Sequence, residues 1–230
     1  MPAPYEQNIV LDLEFTQAGP AARDAGLRCE VIQFGAVRVS PDGEASDSFE
    51  CFVRPQTTGK ITWQVQRLTG IRWSDVAPAE PFEQGLAAFQ AWVGDASTRF
   101  VTWSPSDLKQ LTEEAAYKKI DLPFAHDRWF DLQKVYPRLM GVRKKRGQVR
   151  LVDAAEWYCG GEVKREQLHG APYDAAVTAE LFRMLKTGEY LAQKSMLADI
   201  VPVQGTHEVL SENLGDRFAA LARLRDELSE

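Results

Sequence analysis

Asn8 to Phe15 reads N-I-V-L-D-L-E-F, an apolar run of strand length interrupted at alternate positions by Asp12 and Glu14. Successive side chains of a strand leave opposite faces, so two acids spaced two apart leave the same face and can converge on one point. Inside a sheet, unpaired carboxylates are costly, and a hard divalent cation bound through oxygen removes that cost. A solvated edge strand would tolerate the same acids without any function. Asp-x-Glu is common, so the pair alone does not choose between these readings.

The neighbouring sequence favours a sheet. Val31 to Val39 (V-I-Q-F-G-A-V-R-V) is β-branched and alternating, and Phe49 to Val53 follows after the turn signal Pro41-Asp42-Gly43. Together with the first run these predict a three-strand antiparallel meander. Phe82, Leu86, Phe89 and Trp92 recur at helical spacing between Pro81 and Trp92, and Arg99 to Trp103 reads as another strand. Ser106 is placed to cap a helix carrying Leu108, Leu111 and Ala115. Further helices are predicted over about Asp131 to Met140, Val149 to Tyr158 and Tyr173 to Lys186. Strands first, then strands alternating with helices, imply an α/β fold: a mixed sheet of antiparallel and parallel strands flanked by helices.

At 230 residues the chain is long enough to bury a full core without a stapling cofactor. Residues 1–188 are expected to form one domain and residues 189–230 an extension, with Val201 to Gly205 as a linker. Within that extension, Leu214, Phe218, Leu221, Leu224 and Leu228 make an amphipathic stripe over Ser211 to Leu228. Packing on the domain is the default for this helix, and a homodimer or protein partner is the alternative. Cys29, Cys51 and Cys159 show neither a zinc spacing nor an even count, which points to a reducing, cytoplasmic setting. No signal peptide or membrane span is predicted. A net charge of −6 argues against a broad, sequence-indifferent duplex binder, which needs a basic surface, but permits a small site that holds a strand end with metal ions.

Three other residues carry chemistry. His169 and Asp174 form His-x-x-x-x-Asp, with Pro172 where a helix could begin and Asp174 in its first turn. A histidine can take a proton from water near neutral pH while a carboxylate beside it ligates a metal. Asp107 follows the strand ending at Trp103, a position where α/β sheets commonly place site residues. Each acid also suits a helix start through the macrodipole alone, so the order of the motifs matters more than any one of them.

That order is acid-x-acid on the first strand, an aspartate after a later strand, and His-x-x-x-x-Asp before the last helix. It resembles the DEDDh exonucleases of the DnaQ-like, RNase H-like superfamily. Supporting stretches are V-I-Q-F-G-A-V, L-T-G-I at Leu68 to Ile71, Phe52-Val53-Arg54-Pro55 and T-W-S-P-S-D-L-K-Q-L; together they look most like the branch that trims RNA 3′ ends, including the Eri-type enzymes. The resemblance covers roughly Asn8 to Leu185 and implies an RNase H-like sheet and 3′-to-5′ exonuclease activity releasing nucleoside monophosphates. It implies Asp12, Glu14, Asp107 and Asp174 as metal ligands for two Mg²⁺ (or Mn²⁺) ions, with His169 as general base. Two departures bear on pocket shape: Ser104-Pro105 follows Trp103 where relatives often have glycine, and the last motif reads H-G-A-P-Y-D.

The expected partner is the 3′ end of single-stranded RNA or DNA, with RNA favoured. Apolar side chains that part the terminal base from its neighbour could be Phe15, Leu68 and Ile71; ordinary core packing is the alternative for each, and a strand-end aromatic such as Phe15 usually packs inward. Arg143, Lys144, Lys145 and Arg146, with Arg150, Lys164 and Arg165, are the basic residues available to track phosphates. A DNA-directed proofreading or repair exonuclease, and a nucleic-acid- or protein-binding module that kept the fold, are the competing readings.

Overall fold

The computed structural model describes residues 5–140, 149–158 and 163–189. The expected linker at Val201 to Gly205, the helix at Ser211 to Leu228, the basic run Arg143 to Arg146 and Cys159 lie outside the described residues. Five strands, β1 (Gln7–Gln17), β2 (Cys29–Val39), β3 (Ala45–Phe52), β4 (Thr98–Thr102) and β5 (Trp129–Asp131), form one sheet in the order β3-β2-β1-β4-β5. β1 pairs antiparallel with β2, and β2 with β3, while β4 runs parallel to both β1 and β5. The mixed sheet expected from the sequence is therefore present, with the two-acid strand at its centre.

Eight helices accompany the strands among the described residues: α1 (Pro20–Asp24), α2 (Trp63–Thr69), α3 (Trp73–Val76), α4 (Phe82–Val93), α5 (Ser106–Lys118), α6 (Leu132–Met140), α7 (Leu151–Tyr158) and α8 (Ala171–Thr187). β1 and β2 distribute their residues by parity. Ile9, Leu11, Leu13, Phe34 and Ala36 pack with Phe82, Leu86, Phe89 and Leu111 of α4 and α5. On the other face, Val10, Val37 and Val39 pack with Leu132 and Tyr136 of α6, Ala154 and Ala155 of α7, and Ala175, Leu181 and Phe182 of α8. Asp12 and Glu14 continue the Val10 row, so they fall on the side covered by α8.

A bulge interrupts the β1–β2 ladder: Glu14 pairs with Gln33 but Phe15 with Val31, which leaves Ile32 out of register. Ile32 is fully buried in a satellite cluster with Ile61, Ile71 and Val76. This cluster anchors the segment that carries α2 and α3.

Three differences from the sequence reading have local causes. Pro105, not Ser106, takes the cap position of α5, and Ser106 is its first helical residue. β5 spans only three residues, too short for an alternating pattern, and occupies the place where a helix start is expected at Asp131. α2 buries no residue, so it lacks the apolar stripe by which helices are recognised. No helix among the described residues is long and apolar enough to cross a membrane.

Candidate active site

The acids gather at one end of β1. Carboxylate oxygens of Asp12, Glu14 and Asp174 lie within 4.8 Å of one another, a spacing suited to a shared cation. Asp174 reaches them because the first turn of α8 is docked on β2. Gln33 accepts the Ala171 N–H at 3.2 Å, and Gly35 lies so close to the backbone of Ala171 and Pro172 that a Cβ there would stand 2.1 Å from the Ala171 carbonyl carbon. The V-I-Q-F-G-A-V strand thus positions the last acid through a side-chain acceptor and a missing side chain.

Asp107, only 4% exposed, enters from the first turn of α5. Its Oδ1 accepts the Leu13 N–H at 3.0 Å, which ties the helix to β1 between the two strand acids. Asp131, half-buried at the end of β5, adds a further negative charge that acts on Asp107. Its Oδ1 caps the start of α6 by accepting the Lys134 N–H at 3.2 Å, and Lys134 lies 3.2 Å from its Oδ2. The placement rule that singles out Asp107, an acid just after a parallel strand, applies equally to Asp131, but β5 is too short to announce itself.

So many carboxyls in one place resist ionisation. Burial, then repulsion from Asp107, Asp174 and Glu14, raises Asp12 well above the usual carboxylate range. Burial and the charges of Asp174 and Asp107 push Glu14 up to about 8. Burial pushes Asp107 to about 7 even though the Leu13 N–H stabilises its charged form. Burial likewise raises Asp174 to about 6 against the opposing pull of His169. Asp174 Oδ1 is buried with no hydrogen-bond partner. Oxygen donors that cannot all ionise, one of them orphaned, fit a hard divalent cation better than they fit an empty core.

His169 is exposed, in the turn between a 3₁₀ turn (Arg165–Gln167) and α8. Its φ of 65° is left-handed, a region that few residues other than glycine adopt. That conformation turns its N–H onto Asp174 Oδ2 at 3.2 Å, so the turn and the acid are one unit. Of the three apolar candidates, Leu68 is 54% exposed on α2, Ile71 is buried in the Ile32 cluster, and Phe15 is half-buried against the α4–α5 core. Arg150 pairs with Asp153 and Arg165 with Glu156, whereas Lys164 is exposed.

The RNase_T family model, described as an exonuclease, matches residues 9–182, from β1 into α8 and across every acid just placed. The chain belongs to the RNase_T exonuclease family. Membership makes it an exonuclease-family chain, and solved structures share its fold. The nuclease domain of 3′hExo, a DEDDh family member bound to rAMP, superposes with a TM-score of 0.68 at 22% identity, over 80% of this chain and 94% of that one. Cell-death related nuclease 4 (CRN-4) gives 0.66 at 24% identity, over 80% of this chain and 65% of that one. E. coli Exonuclease I in complex with a dA16 oligonucleotide gives 0.62 at 15% identity, over 84% of this chain and 43% of that one. No curated protein sequence matches this exonuclease.

Within this RNase_T exonuclease, three contributors escape the sequence reading: Gln33, Gly35 and Asp131. The first two stand in an ordinary-looking strand, and their importance comes from what packs on them.

Proposed function

We propose that the chain is a divalent-metal-dependent 3′-to-5′ exonuclease that releases nucleoside monophosphates from single-stranded nucleic acid, with RNA favoured over DNA as in the Eri-type branch. The observation that carries this reading is the convergence of Asp12, Glu14 and Asp174 within 4.8 Å in a member of an exonuclease family. The bound rAMP of 3′hExo supports the ribonucleotide preference, while the oligodeoxynucleotide held by Exonuclease I keeps DNA in the test.

Asp12, Glu14 and Asp174 would hold two divalent ions, Mg²⁺ or Mn²⁺, directly, and Asp107, tied to β1 by the Leu13 N–H, would act on them partly through water. A divalent ion so held supplies Lewis-acid activation of water and neutralises charge on the scissile phosphate. An imidazole nitrogen of His169 takes the proton of the attacking water. Water oxygen then bonds to phosphorus as the bond to the 3′ oxygen breaks, and that oxygen takes a proton from solvent, leaving a nucleoside 5′-monophosphate and a strand shortened by one residue with a free 3′ hydroxyl. Leu68 separates the terminal base from the next, with Phe15 and Ile71 as the other candidates for that wedge. The basic residues Arg143, Lys144, Lys145 and Arg146 attract upstream phosphates.

The test is degradation of 5′-labelled single-stranded RNA and DNA of one sequence, with Mg²⁺, Mn²⁺ or chelator, and Asp12→Ala as control. A metal-dependent ladder, absent in the variant and faster on RNA, is expected. No cleavage of either strand by folded protein would overturn the reading, and a faster DNA ladder would overturn the RNA preference alone.

A further inference from the structure

Among the described residues, the most exposed large hydrophobic side chains are Trp63 at 65% and Leu68 at 54%, both on α2. An exposed tryptophan is unusual, because its large apolar surface gains from any partner that covers it. The helix is fixed in place. Thr62 caps it by accepting the Val65 N–H, Gly70 closes it in a left-handed conformation, and buried Ile61 and Ile71 anchor the chain on either side. The Arg67 guanidinium lies over the Trp63 ring at 5.3 Å from its centroid, so ring and cation are presented together.

Arg67 and Leu68 also line a groove of about 490 Å³. Its other wall is formed by Glu166 to Leu168, Gly170, Pro172 and Tyr173, the turn that carries His169 and the start of the helix that carries Asp174. The groove, which Glu50 of β3 also lines, therefore runs from α2 to the segment that flanks His169 and begins α8. Its volume falls within the roughly 300–1,000 Å³ typical of small-ligand sites. Trp63 stands one helical turn, about 6 Å, beyond Arg67 on the side away from Leu68.

We propose that Trp63 and Arg67 form a stacking subsite for a nucleobase of the single-stranded substrate, upstream of the nucleotides that flank the scissile bond. This deepens the exonuclease reading and rests on it. The indole face takes the base without reading its sequence, and the Arg67 guanidinium attracts the adjoining phosphate. The subsite lets the enzyme distinguish a strand several nucleotides long from a dinucleotide.

Steady-state hydrolysis of a dinucleotide and a ten-nucleotide strand of the same 3′ sequence would be compared in wild type, Trp63→Ala and Trp63→Phe. Binding of the labelled ten-nucleotide strand would be followed in parallel by anisotropy. For Trp63→Ala the expected result is a KM and Kd for the longer strand raised about 5- to 150-fold, the equivalent of the roughly 1–3 kcal/mol of one base–aromatic stack, with kcat little changed. The KM advantage of the long strand over the dinucleotide then collapses, and Trp63→Phe restores most of it. An unchanged KM and Kd for the long strand, or an equal rise for both substrates, would overturn the subsite. Wild type that binds the long strand but hydrolyses neither substrate would sink the exonuclease reading, and the Kd comparison would still decide the subsite. A wild type that fails even to bind the strand would end both.

Discussion

Gly35 on β2 and Ala171 at the start of α8 touch backbone to backbone, leaving no room for a side chain: a Cβ at Gly35 would meet the Ala171 carbonyl carbon at 2.1 Å. The contact sets the height of Asp174 above Asp12 and Glu14. Gly35→Ala must push the helix off the sheet or distort the strand, an overpacking cost of about 1–3 kcal/mol. Melting temperature is expected to fall and turnover to fall further, since metal-site geometry is less tolerant than packing. Equal melting temperature and turnover in the variant would show that the helix does not depend on this approach.

The bond from the Leu13 N–H to Asp107 Oδ1 separates two jobs that a single substitution would confuse. Asp107→Asn keeps an acceptor for the buried N–H and removes a charge that burial already pushes to about 7. At pH 8 without metal, this variant should therefore melt no lower than wild type. Asp107→Ala orphans the Leu13 N–H at a cost of about 1–3 kcal/mol and should melt lower. Both should lose turnover. If Asp107→Asn kept full turnover, the carboxylate charge would have no part in catalysis.

The legible part of this fold is the part with period. α4 buries one stripe and its apolar residues recur at helical spacing, while β1 and β2 are buried on both faces and read as near-continuous apolar runs. Asp12 and Glu14 are visible because charge breaks an apolar run. α2 is illegible for the opposite reason: held by Ile61 and Ile71 outside its ends, it needs no buried face of its own. Gly35 reads as a neutral strand residue until α8, distant in sequence, is laid across it. Asp131 is hidden by a strand of three residues. What sequence conceals here is proximity between segments far apart in the chain.

His169 adopts φ 65° while its N–H serves Asp174, so a careless replacement would test the turn as well as the imidazole. Asn tolerates left-handed geometry better than Ala, so His169→Asn is the cleaner variant. Loss of a general base typically costs 10²–10⁴-fold in rate. A kcat drop of about that size is expected, with divalent-metal affinity by calorimetry within severalfold of wild type. Unchanged kcat would remove His169 from the chemistry.

Metal-free protein should lose stability as pH rises. Folding raises the pKa values of the cluster, with Asp174 at about 6, Asp107 at about 7, Glu14 at about 8, and Asp12 well above its ordinary value. In the unfolded chain these groups titrate near 4. Between those limits the folded state binds more protons than the unfolded one, so stability is complete below about pH 4 and is lost progressively as pH rises through 6 to 8. Buried Glu114, pushed to about 7, contributes with the same sign from outside the cluster. A divalent cation competes with these protons, so Mg²⁺ or Mn²⁺ should raise the melting temperature more at pH 8 than at pH 5.5, and its binding near pH 7 should release protons. Asp12→Asn should shrink both the pH slope and the metal effect, separating the cluster from Glu114. A melting temperature in chelator that stays level or climbs from pH 5.5 to 8.5 would mean that these carboxyls are not held protonated by the fold, and metal would then have no proton to displace.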